Sequence, residues 1–108
     1  MKIIVRKSKF NINPDQFLRR AGYAFLRGRT GSDSYGRRLS GGNYPRLHLY
    51  LEEDSDSITF NLHLDQQKET ISFNNSRHKG EYGGEIVEEE VARLKGLIIE
   101  MVRGNFFA

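Results

Sequence analysis

Residues 44–66, YPRLHLYLEEDSDSITFNLHLDQ, decide the fold. Leu47, Leu49 and Leu51 alternate with Arg46, His48, Tyr50 and Glu52. Ile58, Phe60, Leu62 and Leu64 alternate with Thr59, Asn61, His63 and Asp65. Successive side chains of a strand point to opposite faces. A period of two with polar turn residues between therefore reads as a hairpin with one buried face and one wet face. Facing Leu51 with Ile58 centres the turn on Asp54-Ser55, and a shift of two residues centres it on Ser55-Asp56. Either register keeps the apolar face together. Either also leaves His48 and His63 as neighbours on the wet face, directly opposite or one diagonal step apart.

Working outward, KIIVR (2–6) reads as an opening strand. Asn13 can cap a helix whose first position suits Pro14, with Gln16 placed like the far side of a capping box. Phe17, Leu18 and Ala21 supply its apolar stripe, Arg19 and Arg20 suit its negative end, and Gly22 stops it, giving a helix over 14–21. Residues 23–27 (YAFLR) and 35–39 (YGRRL) read as a first hairpin around the turn cluster GRTGSDS, although Gly36 weakens the second strand. SGGNYP (40–45) is a flexible link. Beyond the central hairpin, TISF (70–73) can add a short strand, and NNSRHKGEYGG (74–84) has loop chemistry. From Glu85 the period becomes helical. Val87, Val91, Leu94, Ile98, Met101 and Val102 form the stripe, acids load the first turns, Glu89 and Arg93 form an i, i+4 pair, and Gly104 closes the helix. The aromatic tail Phe106-Phe107 either docks or meets a partner.

The fold class that follows is α+β. An antiparallel sheet of four to five strands buries its Leu/Phe face under a long C-terminal helix, with a short N-terminal helix beside it. A chain of 108 residues is expected to form one such domain over 1–108. Apolar residues make up 37%, which argues against disorder. The absence of cysteine excludes disulfides and thiol catalysis and limits any metal site to His and carboxylate ligands. No apolar run reaches membrane-spanning length, and MKIIVRKSKF lacks a signal-peptide core. A cytoplasmic protein without a membrane partner is therefore expected.

Charge is divided unevenly. Residues 1–50 carry eleven Lys or Arg and two acids, a net +9, whereas residues 51–108 carry six and twelve, a net −6. An Arg-rich half suggests a polyanionic partner. The competing reading is that the two halves attract each other within the fold.

The wet face of the hairpin mixes cations, rings and amides at Arg46, His48, Tyr50, Thr59, Asn61 and His63. Single-stranded nucleic acid is bound by such a mixture, with bases on rings and phosphates on Arg. The competing reading is an ordinary solvated sheet face. No RNP1-like string is present. His48, His63, Asp65 and His78, with Glu81 near, can be read as ligands of a divalent ion, but no tight metal signature accompanies them, so hydrogen-bonded surface histidines compete with that reading. His63 with Asp65 can serve as a base and its orienter, yet Ser40, Ser55 and Ser57 lie in turns without an elbow motif. The glycine-rich stretches open no clear helix and match no phosphate-binding fingerprint, and Glu88-Glu89-Glu90 reads as the charged start of a helix.

The strings YPRLHLY, FNLHLDQ and RHKGEYGGEIVEEE resemble those of a group of small uncharacterised bacterial proteins, over residues 44–96 most clearly. The resemblance implies a bacterial, cytoplasmic, single-domain protein and carries no activity or site.

The expected function is a non-enzymatic module that binds RNA or single-stranded DNA and needs no cofactor. Arg19, Arg20, Arg27, Arg29, Arg37, Arg38 and Arg46 would meet phosphate. Tyr35, Tyr44, Tyr50, His48 and His63 would stack or make polar contacts. The alternatives are a protein-interaction module, through the Phe106-Phe107 tail or a sheet edge, and a His/carboxylate metal-binding protein.

Overall fold

A computed structural model describes residues 1–28, 33–42, 44–66 and 76–105, with the backbone alone over 76–83. Arg29, the 70–73 strand, the side chains of His78 and Glu81 and the Phe106-Phe107 tail lie outside the described residues.

The fold is α+β. Strands β1 (Lys2–Arg6), β2 (Ala24–Leu26), β3 (Ser34–Arg38), β4 (Arg46–Glu53) and β5 (Ser57–Asp65) form one antiparallel sheet in the order β1-β5-β4-β3-β2. A 3-10 turn over Lys7–Lys9 and helix α1 (Pro14–Arg20) carry the chain from the β1 edge to the β2 edge, from which it meanders back to β5. Helix α2 (Ser76–Val102) follows.

In the central hairpin Leu51 pairs with Phe60 and His48 with His63, so the turn centres on Ser55-Asp56. The cause is Asp54, whose carboxylate accepts the backbone N–H groups of Asp56 and Ser57 and the Ser57 hydroxyl. These bonds hold its pKa below the usual carboxylate value. With that register, Ile3, Ile58, Phe60, Leu62, Leu47, Leu49 and Tyr35 share the buried face. Phe10, Phe17 and Phe60 meet there with ring centroids 5.2–5.9 Å apart.

Helix α1 begins and ends where its sequence indicates. Asn13 Oδ1 accepts the N–H groups of Asp15 and Gln16. At the other end Gly22, at φ 101°, lets its own N–H reach the Arg19 carbonyl and that of Tyr23 reach Leu18. This paired C-terminal closure favours glycine because L side chains resist a positive φ. Gly104, at φ 85°, ends α2 with the same pair of bonds, to Met101 and Glu100.

Helix α2 departs from expectation at its start and in one residue of its stripe. It starts at Ser76 rather than Glu85, running through the glycine-rich stretch read above as a loop. Extending an existing helix avoids the cost of nucleating one, which here outweighs the roughly 1 kcal/mol that each glycine costs relative to alanine. At the far end Val87, Val91, Leu94, Ile98 and Met101 are buried, but Val102 is exposed. Arg93 reaches Glu90, three residues back, instead of Glu89.

Glu90 is only 4% exposed. Its carboxylate accepts Arg93 Nε and Nη2 at 2.8 Å and the Tyr23 hydroxyl at 2.6 Å, and Arg37 Nη1 stands 3.6 Å away. Arg93 Nη2 also donates to the Ala21 carbonyl at the end of α1. One carboxylate thus ties α2 to α1, to the segment entering β2 and to β3. Burial pushes the Glu90 pKa up. The hydrogen bonds from Arg93 and Tyr23 and the charges of Arg93 and Arg37 outweigh burial and hold it below the usual value. The stabilisation from this depressed pKa is present above the unfolded carboxylate value and is lost as pH falls through the folded one. Arg93 and Arg37 are about a third exposed and can regain water, so Glu90→Gln is expected to cost roughly 2–3 kcal/mol, less than a fully buried pair. Urea unfolding from pH 7 to pH 3 tests both points: the variant should be weaker at pH 7 and should lose less stability than the parent below about pH 4.5.

Candidate nucleic-acid interface

The face of the sheet opposite the core carries Lys2, Ile4 and Arg6 from β1, and Ser57, Thr59, Asn61, His63 and Asp65 from β5. It also carries Arg46, His48, Tyr50 and Glu52 from β4, and Ser34, Gly36 and Arg38 from β3. Both helices contribute to the core cluster on the other side. Among the described residues this face is open at Ile4, 67% exposed, and at His63, whereas Ser34 near the β2 edge is buried.

Across the middle runs a strip of rings. His48 and Tyr50 have centroids 4.8 Å apart at a 32° tilt, and the edge of Tyr50 meets His63 at 5.9 Å. Direct pairing of His48 with His63 brings two strand neighbours into this strip. Ser34 Oγ lies 2.7 Å from His48 Nε2, and Asp65 Oδ2 lies 3.7 Å from His48 Nδ1. Burial lowers the His48 pKa, more than the opposing charge of Asp65 raises it, so the ring is neutral at pH 7.

At one end Arg38 and Arg46 stand side by side by register. The Arg46 guanidinium lies 4.9 Å over the Tyr44 ring, and its Nε is 3.3 Å from Asp65. At the other end a hollow is lined by Ile4, Arg6, Lys7, Ser8, Ser55, Asp56 and Ser57. Lys7 lies within 3.5 Å of Glu53. Arg6 and Lys7 were not among the candidates read from the sequence. Their signal was the KIIVR pattern, but only the pairing of Arg6 with Ser57 puts that strand beside the hairpin.

Tyr44, Arg46, His48, Tyr50, His63 and Arg38 therefore share one face. The remaining candidates do not join them. Arg37 points to the core side, beside Glu90. Tyr35 is buried on that side, and its hydroxyl donates to Asp15; burial and this bond push its pKa up to about 12. Arg19 pairs with Asp15 on α1, which carries Arg20 as well. Arg27 is exposed just beyond the β2 edge. The charge asymmetry is thus partly internal, since Lys7, Arg37 and Arg46 each face an acid from the second half of the chain. No group of three His or carboxylate ligands suited to a metal ion occurs among the described residues. No helix is long and apolar enough to cross a membrane, again among the described residues.

Compared with known proteins, the chain matches no family model, no curated protein and no solved structure.

Arg37 and Arg38 are neighbours in sequence on opposite faces, which separates structure from surface chemistry. Arg37→Ala is expected to cost about 1 kcal/mol by weakening the Glu90 cluster, whereas Arg38→Ala stays within about 0.5 kcal/mol of the parent. Thermal melts of the two variants provide the comparison.

Proposed function

We propose that the open face binds single-stranded nucleic acid, RNA or DNA, in a sequence-tolerant way. The observation that carries this reading is the ring strip of His48, Tyr50 and His63 flanked by Arg38 and Arg46 on the sheet face opposite the core. Bases have π faces of a size suited to such rings, and stacking is worth roughly 1–3 kcal/mol per base. Phosphates would be met by Arg38 and Arg46 at one end and by Lys2 and Arg6 along the β1 edge. Neutral His48 favours stacking and hydrogen bonding to base edges over ion pairing.

The geometry also narrows the ligand. A flat face read by rings suits splayed, unpaired bases rather than a duplex, whose bases are already stacked on one another. Arg19 and Arg37 drop out of the proposed contact set, because Arg19 lies on α1 and Arg37 on the core side beside Glu90.

Binding of labelled mixed-sequence RNA and DNA, single-stranded and duplex, at low and moderate salt is the test. Affinity for single strands should fall as salt rises, because each neutralised phosphate releases a counterion. Tyr50→Ala should weaken it roughly tenfold by loss of one stacked base. Arg38→Ala/Arg46→Ala should reduce both the affinity and the salt slope, and Arg19→Ala should change neither. Binding that is absent at low salt, or indifferent to Tyr50→Ala and to the Arg38/Arg46 variant, would overturn the reading.

A further inference from the structure

We propose that Ser34, His48 and Asp65 form a nucleophilic relay, with Ser34 attacking carboxylic esters that carry a small apolar acyl group. Such an activity is distinct from nucleic-acid binding and departs from the non-enzymatic protein expected from the sequence.

The three residues come from β3, β4 and β5 and run diagonally across the open face. Ser34 Oγ and His48 Nε2 are 2.7 Å apart, and Asp65 Oδ2 is 3.7 Å from the other ring nitrogen. That carboxylate sets the tautomer. A proton on Nδ1 faces a negative charge favourably, whereas a lone pair there would face it unfavourably. Nε2 is therefore the acceptor, and Ser34 is the donor. At 3.7 Å the influence of Asp65 is electrostatic rather than a hydrogen bond, and Asp65 acts as a positioning residue. Arg46 Nε, 3.3 Å from the same Oδ2, holds the carboxylate in place.

The surroundings suit the role. Ser34 is 5% exposed. Leu26 pairs with Ser34 in register, and its side chain folds so closely over Gly36 that a Cβ added there would stand 2.9 Å from Leu26 Cδ1. Gly36 itself faces His48 across the strand pair. The Ser34–His48 bond thus lies beside the Leu26 side chain, which offers an alkyl acyl group an apolar contact. Desolvation keeps His48 neutral and able to take a proton. The charged and titratable groups nearest the ring are Asp65 and His63 from β5, Arg46 and Tyr50 from β4 and Arg38 from β3.

In the reaction the Ser34 Oγ–H proton passes to His48 Nε2 as the Oγ–carbon bond forms at the ester carbonyl. The bond to the alcohol then breaks, and the alcohol leaves with the proton from Nε2. Water next attacks the acyl-serine while giving a proton to Nε2. The Oγ–carbon bond breaks, and Ser34 recovers that proton. The sum is ester plus water to acid plus alcohol.

The test treats the full chain with a biotinylated fluorophosphonate and, separately, with p-nitrophenyl butyrate. Peptide mapping should find the phosphonyl adduct on Ser34, with Ser40, Ser55 and Ser57 unlabelled and with no adduct in urea-unfolded protein. Ester turnover should rise with pH to a plateau, with its midpoint below 6.5. Ser34→Ala should abolish labelling and turnover, and His48→Gln should lower each at least tenfold. Asp65→Asn should slow turnover and move the midpoint lower, because it removes the charge that raises the His48 pKa; a merely structural role would leave the midpoint in place. Wild-type labelling needs no variant to fold, so its failure, or labelling spread equally over the serines, overturns the proposal. Single-strand binding that persists in Ser34→Ala while labelling is lost would separate the two functions.

Discussion

A carboxylate with almost no exposure has to be ionised among cations or not ionised at all, and Glu90 takes the first course. Arg93 from its own helix, Tyr23 from the segment entering β2 and Arg37 from β3 converge on it. Desolvating a charge is expensive, so this arrangement persists only when every partner is in place. The helix position is fixed by that requirement as much as by its apolar stripe. An apolar stripe tolerates sliding, but the Tyr23 hydrogen bond to Glu90 and the Arg93 hydrogen bond to the Ala21 carbonyl hold one register.

The same constraint sorts the basic half of the chain. Arg37 is taken inward, while Arg38, its neighbour in a strand of period two, stays on the far face. The sheet thereby gains a side where ionic groups serve the fold and a side where rings and cations face solvent. The Leu/Phe face needs two helices to cover it. On the opposite face the Arg, His, Tyr and Asn side chains are partnered with one another and with carboxylates. A surface of that kind is available for a ligand without rearrangement of the core.

Much of the architecture was legible locally. The alternation over 44–66 carried both strands and both faces of the hairpin, and the Asn13-Pro14 start and Gly22 stop bounded α1 because capping chemistry acts within one turn. The 87–101 stripe likewise marked the buried side of α2. The loop expected over 74–84 is helical from Ser76 onward. Glycine and asparagine carry turn signals in isolation, and the cooperative extension of a neighbouring helix is not visible in a short window. Of the candidate site, Arg46, His48, Tyr50 and His63 were legible since alternation alone puts them on one face. Ser34 was not, because its partner His48 is 14 residues away and on another strand.

By itself, then, the sequence determined the α+β class, the polarity of each hairpin face, and the caps and the apolar stripe of the helices, all of which follow from periods of two and 3.6 and from contacts within a turn. The tertiary structure alone decided which of three consecutive glutamates is buried, which of two adjacent arginines is internal, and which serine meets a histidine. Those choices depend on strand register and on helix placement over the sheet. Both are set by the summed packing of residues far apart in the chain, and no local pattern encodes that sum.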